Sequence, residues 1–118
     1  MSVTRTTNPF EIDFRKKFEL TDKVVIITGA CGLVGRSFCE AAAQYGAHVV
    51  VADIALAEPE KFAAALTERH HRKMLGFALD VSSRKDVEQL KNKVVETFGV
   101  VHGLVNAHQN KRSEEHTS

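Results

Sequence analysis

The sequence predicts an α/β fold in which a doubly wound parallel sheet carries helices on both faces, with about four strands and three helices. Three observations predict it. Apolar, β-branched runs alternate with amphipathic stretches in the order β-α-β-α-β-α-β. A glycine-spaced turn, Gly29-Ala30-Cys31-Gly32-Leu33-Val34-Gly35, stands between the first run and the first helix. The three later runs each end on a short polar side chain, Asp53, Asp80 and Asn106. Right-handed crossovers between parallel strands bring the carboxyl ends of all four to one edge, where a ligand belongs.

Each element has its own justification. Val24-Val25-Ile26-Ile27 is a first strand buried on both faces. A helix follows from about Leu33 to Tyr45 and stops at Gly46, a C′ glycine. The second strand is 47–53. Pro59 suits the first turn of a helix that runs through Phe62 and Leu66 to about His70. Leu75 to Leu79 makes the third strand. Ser83 and Asp86 form a capping-box pattern ahead of a helix whose Val87, Leu90, Val94 and Phe98 share one face. Lys85, Glu88, Lys91, Asn92 and Glu96 turn to water, Gly99 ends the helix, and Val100 to Val105 is the fourth strand. Upstream, residues 1–19 read as an arm. Its first nine residues are polar, and Phe10, Ile12 and Phe14 then alternate as in a short strand or a lid packed on the domain.

The turn carries the chemistry. Gly29 permits a sharp bend, Gly32 lets backbone N–H groups approach a pyrophosphate, and Gly35 lets the helix pack against the strand. Cys31 is a small turn residue whose backbone N–H is expected to face phosphate, and Leu33 and Val34 complete the loop into the helix N-terminus. Asp53, followed by Ile54, is positioned to accept hydrogen bonds from the ribose hydroxyls of NAD and to repel a 2′-phosphate. Neither Arg nor Lys lies between Gly29 and Gly35, although Arg36 sits just past the turn, so NAD is expected over NADP.

Composition excludes rather than names. The 118 residues, 43% of them hydrophobic, suffice for one domain, and a chain of this size buries about two-thirds of its unfolded surface. A net charge of +1 without a long basic run argues against nucleic acid. No apolar stretch reaches the ~20 residues of a membrane span, and Met1 to Pro9 lacks the apolar core of a signal peptide. Two cysteines, one in the turn and one on the helix, indicate reduced thiols and a cytoplasmic protein. Neither Cys31 and Cys39 nor the adjacent His70 and His71 have metal-site spacing. His70 to Lys73 place positive charge at a helix C-terminus, where the macrodipole favours it.

Residues 20–107 resemble the N-terminal part of a short-chain dehydrogenase/reductase, a Rossmann-like fold. The matching segments are Lys23-Val24-Val25-Ile26-Ile27-Thr28-Gly29-Ala30, Asp53, Leu79-Asp80-Val81-Ser82, and Phe98 through Asn106. The resemblance implies that Asp80 and Val81 flank the adenine and that the strand ending at Asn106 lies beside the cofactor. It also implies hydride transfer between nicotinamide and an alcohol or carbonyl, a small-molecule substrate and a homo-oligomeric parent protein. Two departures are visible. Leu33 takes the place of the usual second glycine, and Gly32 precedes it, a spacing similar to that of sugar-nucleotide epimerases and dehydratases. After Asn106 the chain reads Ala107-His108-Gln109 where Asn-Ala-Gly is usual. An NAD-dependent epimerase or dehydratase, and a non-catalytic nucleotide-binding module, are therefore the alternatives.

The family's acid/base chemistry uses a Tyr-x-x-x-Lys pair and a Ser beyond the fourth strand. The only tyrosine here, Tyr45, is followed four positions later by Val49 rather than Lys, so no catalytic residue is assigned. One back-translation of Arg112-Ser113-Glu114-Glu115-His116-Thr117-Ser118 resembles an adapter commonly ligated to DNA before short-read sequencing. A non-native tail over 112–118, a partial nucleotide-binding domain over 20–111 and a longer, catalytically complete parent are therefore expected.

Overall fold

The computed structural model describes residues 20–107. The expected arm over 1–19 and the tail over 112–118 lie outside the described residues. Strands β1 (Val24–Thr28), β2 (His48–Asp53), β3 (Leu75–Ala78) and β4 (Gly103–Asn106) alternate with helices α1 (Leu33–Gln44), α2 (Pro59–His70) and α3 (Arg84–Phe98). All pairings are parallel, in the order β3-β2-β1-β4. The sheet grows outward from β1 to β3, and α3 then returns the chain to the other side of β1. That reversal creates a crevice between the ends of β1 and β4, where doubly wound sheets bind ligands.

Strand periodicity divides the core. Val25, Ile27, Val49 and Val51 face α1 and α2, packing on Cys39, Ala42, Ala43, Phe62 and Leu66. Val24, Ile26, Val50 and Ala52 face α3, packing on Leu90 and Val94. Burying each of these Val, Ile and Leu side chains stabilises the fold by about 1.5–3 kcal/mol relative to exposure. The buried face of α1 consists of Gly35, Cys39, Ala42 and Ala43, small residues that let the helix lie close to the sheet. Burial also pushes the Cys39 thiol up to about 12, so it behaves as an inert packing group.

The helix punctuation follows the sequence. Tyr45 caps α1 and Gly46 follows with φ +94°, while Pro59 opens α2. Ser83 Oγ accepts from Asp86 N–H at 3.1 Å, and Asp86 Oδ2 reaches back to Asp80 N–H at 3.0 Å. Asp86 thus ties α3 to the end of β3 as well as completing the cap. Ser83→Ala should cost about 1 kcal/mol, read as a lower urea midpoint with an unchanged slope; an unchanged midpoint would contradict the capping role.

The start of the fourth strand and the link from β2 to α2 depart most from expectation; the other boundaries agree within a residue. The fourth strand begins at Gly103 rather than Val100, because His102 takes over the start of the pairing. Its backbone N–H donates to Val24 O at 2.8 Å, while its ring Nδ1 accepts Val24 N–H at 2.9 Å. A short 3₁₀ turn, Ala55–Ala57, leads from β2 into α2. Gly76, unremarked in the sequence, is required for packing: a Cβ there would lie 2.5 Å from Glu60 Cα, so only glycine lets α2 approach β3.

Ionic ties sit away from the strand carboxyl ends. Arg72 pairs with Asp22, whose carboxyl is held below the usual range by the Arg72 hydrogen bond and charge. Between α1 and α2, Glu40 receives Arg69 and the His70 ring, the latter at 2.9 Å. Burial pushes the Glu40 carboxyl up, but these two partners together hold it below its usual range.

Candidate cofactor-binding site

Thr28 ends β1, and Gly29 follows with φ +67°, a left-handed conformation that bends the chain at little cost only for glycine. The turn is then fastened from within. Ala30 N–H donates to Ala52 O at 3.2 Å, and Gly32 N–H to Gly29 O at 3.3 Å. Cys31 N–H donates to Asp53 Oδ2 at 2.8 Å. This last bond corrects the expectation that the Cys31 amide faces phosphate: a carboxylate within reach at the end of β2 takes it. The first intrahelical bond of α1 is Arg36 N–H to Gly32 O at 2.8 Å. The amides of Leu33, Val34 and Gly35 precede that ladder and are the donors of the helix N-terminus. Gly32 caps the helix without a side-chain bond and the first turn carries no acidic residue, so no side chain of the helix itself occupies its positive end.

Gly35 and Gly32 have separate roles. A Cβ on Gly35 would lie 2.1 Å from Gly29 O and 2.7 Å from Ala30 Cα, so α1 rests directly on the turn. A Cβ on Gly32 would meet only Gly29 O, at 3.6 Å, leaving open space over the helix end. Leu33 and Val34 border that space, with Leu33 87% exposed.

Asp53 is anchored twice, since its Oδ1 also accepts Ile54 N–H at 2.7 Å. Beside it, Ile54, Ala55, Ala78, Leu79, Asp80 and Asp86 line an open cleft of about 260 Å³. Asp80 Oδ1 accepts from Ser82 N–H at 2.9 Å and Ser82 Oγ at 2.7 Å, which fixes the loop after β3. Val81 stands outside the lining, 41% exposed. Across the crevice, Thr28 Oγ1 donates to Asn106 Oδ1 at 3.0 Å, joining the ends of β1 and β4.

Every residue read from sequence as a site residue therefore lies at the carboxyl edge of the sheet. Asp53 pairs with Cys31 and Ile54, Gly32 pairs with Gly29, Thr28 ties Asn106 to β1, and Ile54 and Asp80 share one cleft. Tyr45, at the far end of α1, accepts Leu20 N–H through its carbonyl, away from this edge. The thiol of Cys31 is pushed up by burial and by the Asp53 charge, so it stays protonated at neutral pH. The edge thus brings together free helix-end N–H donors, a carboxylate held by two backbone amides and an open cleft bordered by Ile54 and Asp80.

Residues 23–116 match the short chain dehydrogenase family. The chain belongs to that family. Among relatives, 15-hydroxyprostaglandin dehydrogenase [NAD(+)] of Rattus norvegicus is 38% identical over 85 residues, covering 71% of this chain and 32% of that protein. NAD-dependent glycerol dehydrogenase of Listeria innocua is 29% identical over 94 residues, covering 80% of this chain and 35% of that protein. Among solved structures, L-sorbose reductase from Gluconobacter frateurii, complexed with NADPH and L-sorbose, superposes with a TM-score of 0.73 at 28% identity. That superposition covers 77% of this chain and 35% of the reductase. A short chain dehydrogenase/reductase from Burkholderia phymatum, in complex with NAD, superposes with a TM-score of 0.68 at 34% identity, covering 74% and 31%. The chain thus spans about a third of the length of these four family members. The family's members are oxidoreductases that bind nicotinamide cofactors, and the Rossmann-like expectation for the fold holds.

Proposed function

We propose that this chain forms the NAD-binding part of a larger oxidoreductase that moves hydride between nicotinamide and an alcohol or carbonyl of a small molecule. The observation that carries the reading is the Asp53 carboxylate, held by two backbone amides between the helix-end donors and the open cleft. When bound, the cofactor supplies the hydride acceptor or donor. The protein's part is to bind and orient it. The Leu33, Val34 and Gly35 amides receive the diphosphate, the remaining lone pairs of Asp53 accept the ribose hydroxyls, and Ile54 and Asp80 border the adenine. Asn106, tied to Thr28, borders the nicotinamide half.

NADP is the second reading, favoured by a cleft of about 290 Å³ near the turn whose lining includes Arg36, Lys61 and Arg69. We prefer NAD because these cations are engaged: Lys61 with Glu58, Arg69 with Glu40, and Arg36 with Cys31 O. A 2′-phosphate beside Asp53 would also meet like charge. The family match favours a dehydrogenase over an epimerase or dehydratase. A cytoplasmic, homo-oligomeric parent belongs to the same proposal; among the described residues no helix is long and apolar enough to cross a membrane.

The acid/base pair has to come from outside this chain, since Tyr45 is followed by Val49 at the decisive spacing. The chain alone should therefore give no NADH from a panel of alcohols, and the full-length enzyme should give it. Among the described residues no strand pairs with the outer side of β4, and Leu104 is 66% exposed, so the chain alone should also self-associate in sedimentation. Turnover by a cooperatively melting monomer of residues 1–118 would overturn this division of labour.

A further inference from the structure

Arg36 follows the last glycine of the turn, where its charge alone would mark it as a phosphate contact. Its guanidinium is engaged elsewhere. Nε donates to Cys31 O at 2.9 Å, and the guanidinium carbon lies 4.5 Å from the centre of the Phe62 ring. Phe62 is buried in the core between α2 and the sheet, so the platform under Arg36 is rigid. Cys31 is consequently held by side chains at both backbone polar groups: Arg36 takes its carbonyl, and Asp53 takes its N–H.

We propose that Arg36, stacked on Phe62, is a positioning residue that fixes the Cys31 backbone and, through it, the orientation of the Asp53 carboxylate toward the ribose. The inference rests on the reading of Asp53 as the ribose acceptor. Its physical basis is that a carboxylate can select a diol only if its unused lone pairs point in one direction. Ile54 N–H holds one oxygen from just past the end of β2, and Cys31 N–H holds the other from the turn. That second anchor is only as firm as the turn. Besides Arg36, the Asp53 bond itself and the packing of Gly35, the turn is held by backbone bonds of 3.2 and 3.3 Å from Ala30 and Gly32. A guanidinium suits the task because its planar donor can bond and stack at once, which an ammonium cannot do.

The test uses the full-length enzyme, with Arg36→Met, Arg36→Gln, Arg36→Lys, Phe62→Leu, Asp53→Ala and the Arg36→Met/Asp53→Ala double variant. Arg36→Met should weaken NAD about three- to tenfold, the equivalent of one net hydrogen bond, with KM rising in step and kcat within about twofold. Arg36→Gln should do the same, a check that does not depend on one replacement folding well. Arg36→Lys should fail to restore affinity, although it restores the charge. Phe62→Leu should weaken NAD in the same direction. In the Asp53→Ala background, Arg36→Met should add no more than about 1.5-fold, because the two residues act in series.

Full additivity of the two substitutions would overturn the proposal, as would a loss confined to NADP, since either result would mean a direct contact between Arg36 and phosphate. If Asp53→Ala weakens NAD but the Arg36 variants do not, the positioning role fails while the ribose reading stands. If the unmodified enzyme has no affinity for NAD, the reading itself fails and this inference fails with it.

Discussion

Gly35→Ala should destabilise the fold by about 3 kcal/mol, the upper part of the range for overpacking a tight contact. The added methyl would lie 2.1 Å from Gly29 O and within 2.8 Å of two Ala30 backbone atoms, and backbone cannot rotate aside as a side chain can. The N-terminus of α1 would have to lift off the turn, taking the Leu33 and Val34 amides with it. Cofactor affinity and stability should therefore fall together. Gly32→Val should separate them. Gly32 has φ −78° and ψ 176°, an extended conformation that valine adopts freely, and its Cβ position is unobstructed by protein. The fold should lose less than about 1 kcal/mol, the cost of a poorer N-cap. NAD affinity should fall by more than about 100-fold, because the side chain would fill the space over the helix end that a diphosphate needs. Denaturant titration and a cofactor titration on the same preparations read both quantities. A Gly32→Val protein that binds NAD normally would mean the diphosphate lies elsewhere.

The contrast between these two glycines shows what was legible in the sequence. Spacing alone predicts a bend at Gly29, an approach to the ligand at Gly32 and a packing contact at Gly35, because the α/β turn imposes those tasks in a fixed order. The structure bears out the tasks of Gly29 and Gly35 in φ and in steric contact. Hydrophobic periodicity likewise marked all four strands and three helices, since both faces of the inner strands are buried and their apolar runs are continuous. Less legible were contacts that depend on side-chain direction between distant segments. Gly76 reads as an ordinary strand glycine until α2 is placed over it. The Cys31 amide was expected to face phosphate because nothing in the spacing shows that the Asp53 carboxylate reaches back across the turn. Arg36 was visible only as a charge, since its partners are a carbonyl five residues earlier and a ring on another helix. The start of β4 moved because an imidazole substituted for a backbone acceptor at Val24, an exchange with no periodic signature.

Asp53 carries the proposed preference for NAD. Its carboxylate, oriented by the Cys31 and Ile54 amides, would favour a cofactor with a free ribose diol over one carrying a 2′-phosphate. Losing it removes charge-assisted hydrogen bonds to the diol, at about 1–3 kcal/mol, or roughly five- to 150-fold in affinity. It also removes the repulsion toward 2′-phosphate, so NADP affinity should hold or rise while NAD affinity falls. The decisive measurement is calorimetric titration of the full-length enzyme and its Asp53→Ala variant with NAD and with NADP. The account predicts a clear preference for NAD in the unmodified protein and its loss or reversal in the variant. Equal affinities for the two cofactors in the unmodified protein, or a preference for NAD that survives Asp53→Ala, would contradict it.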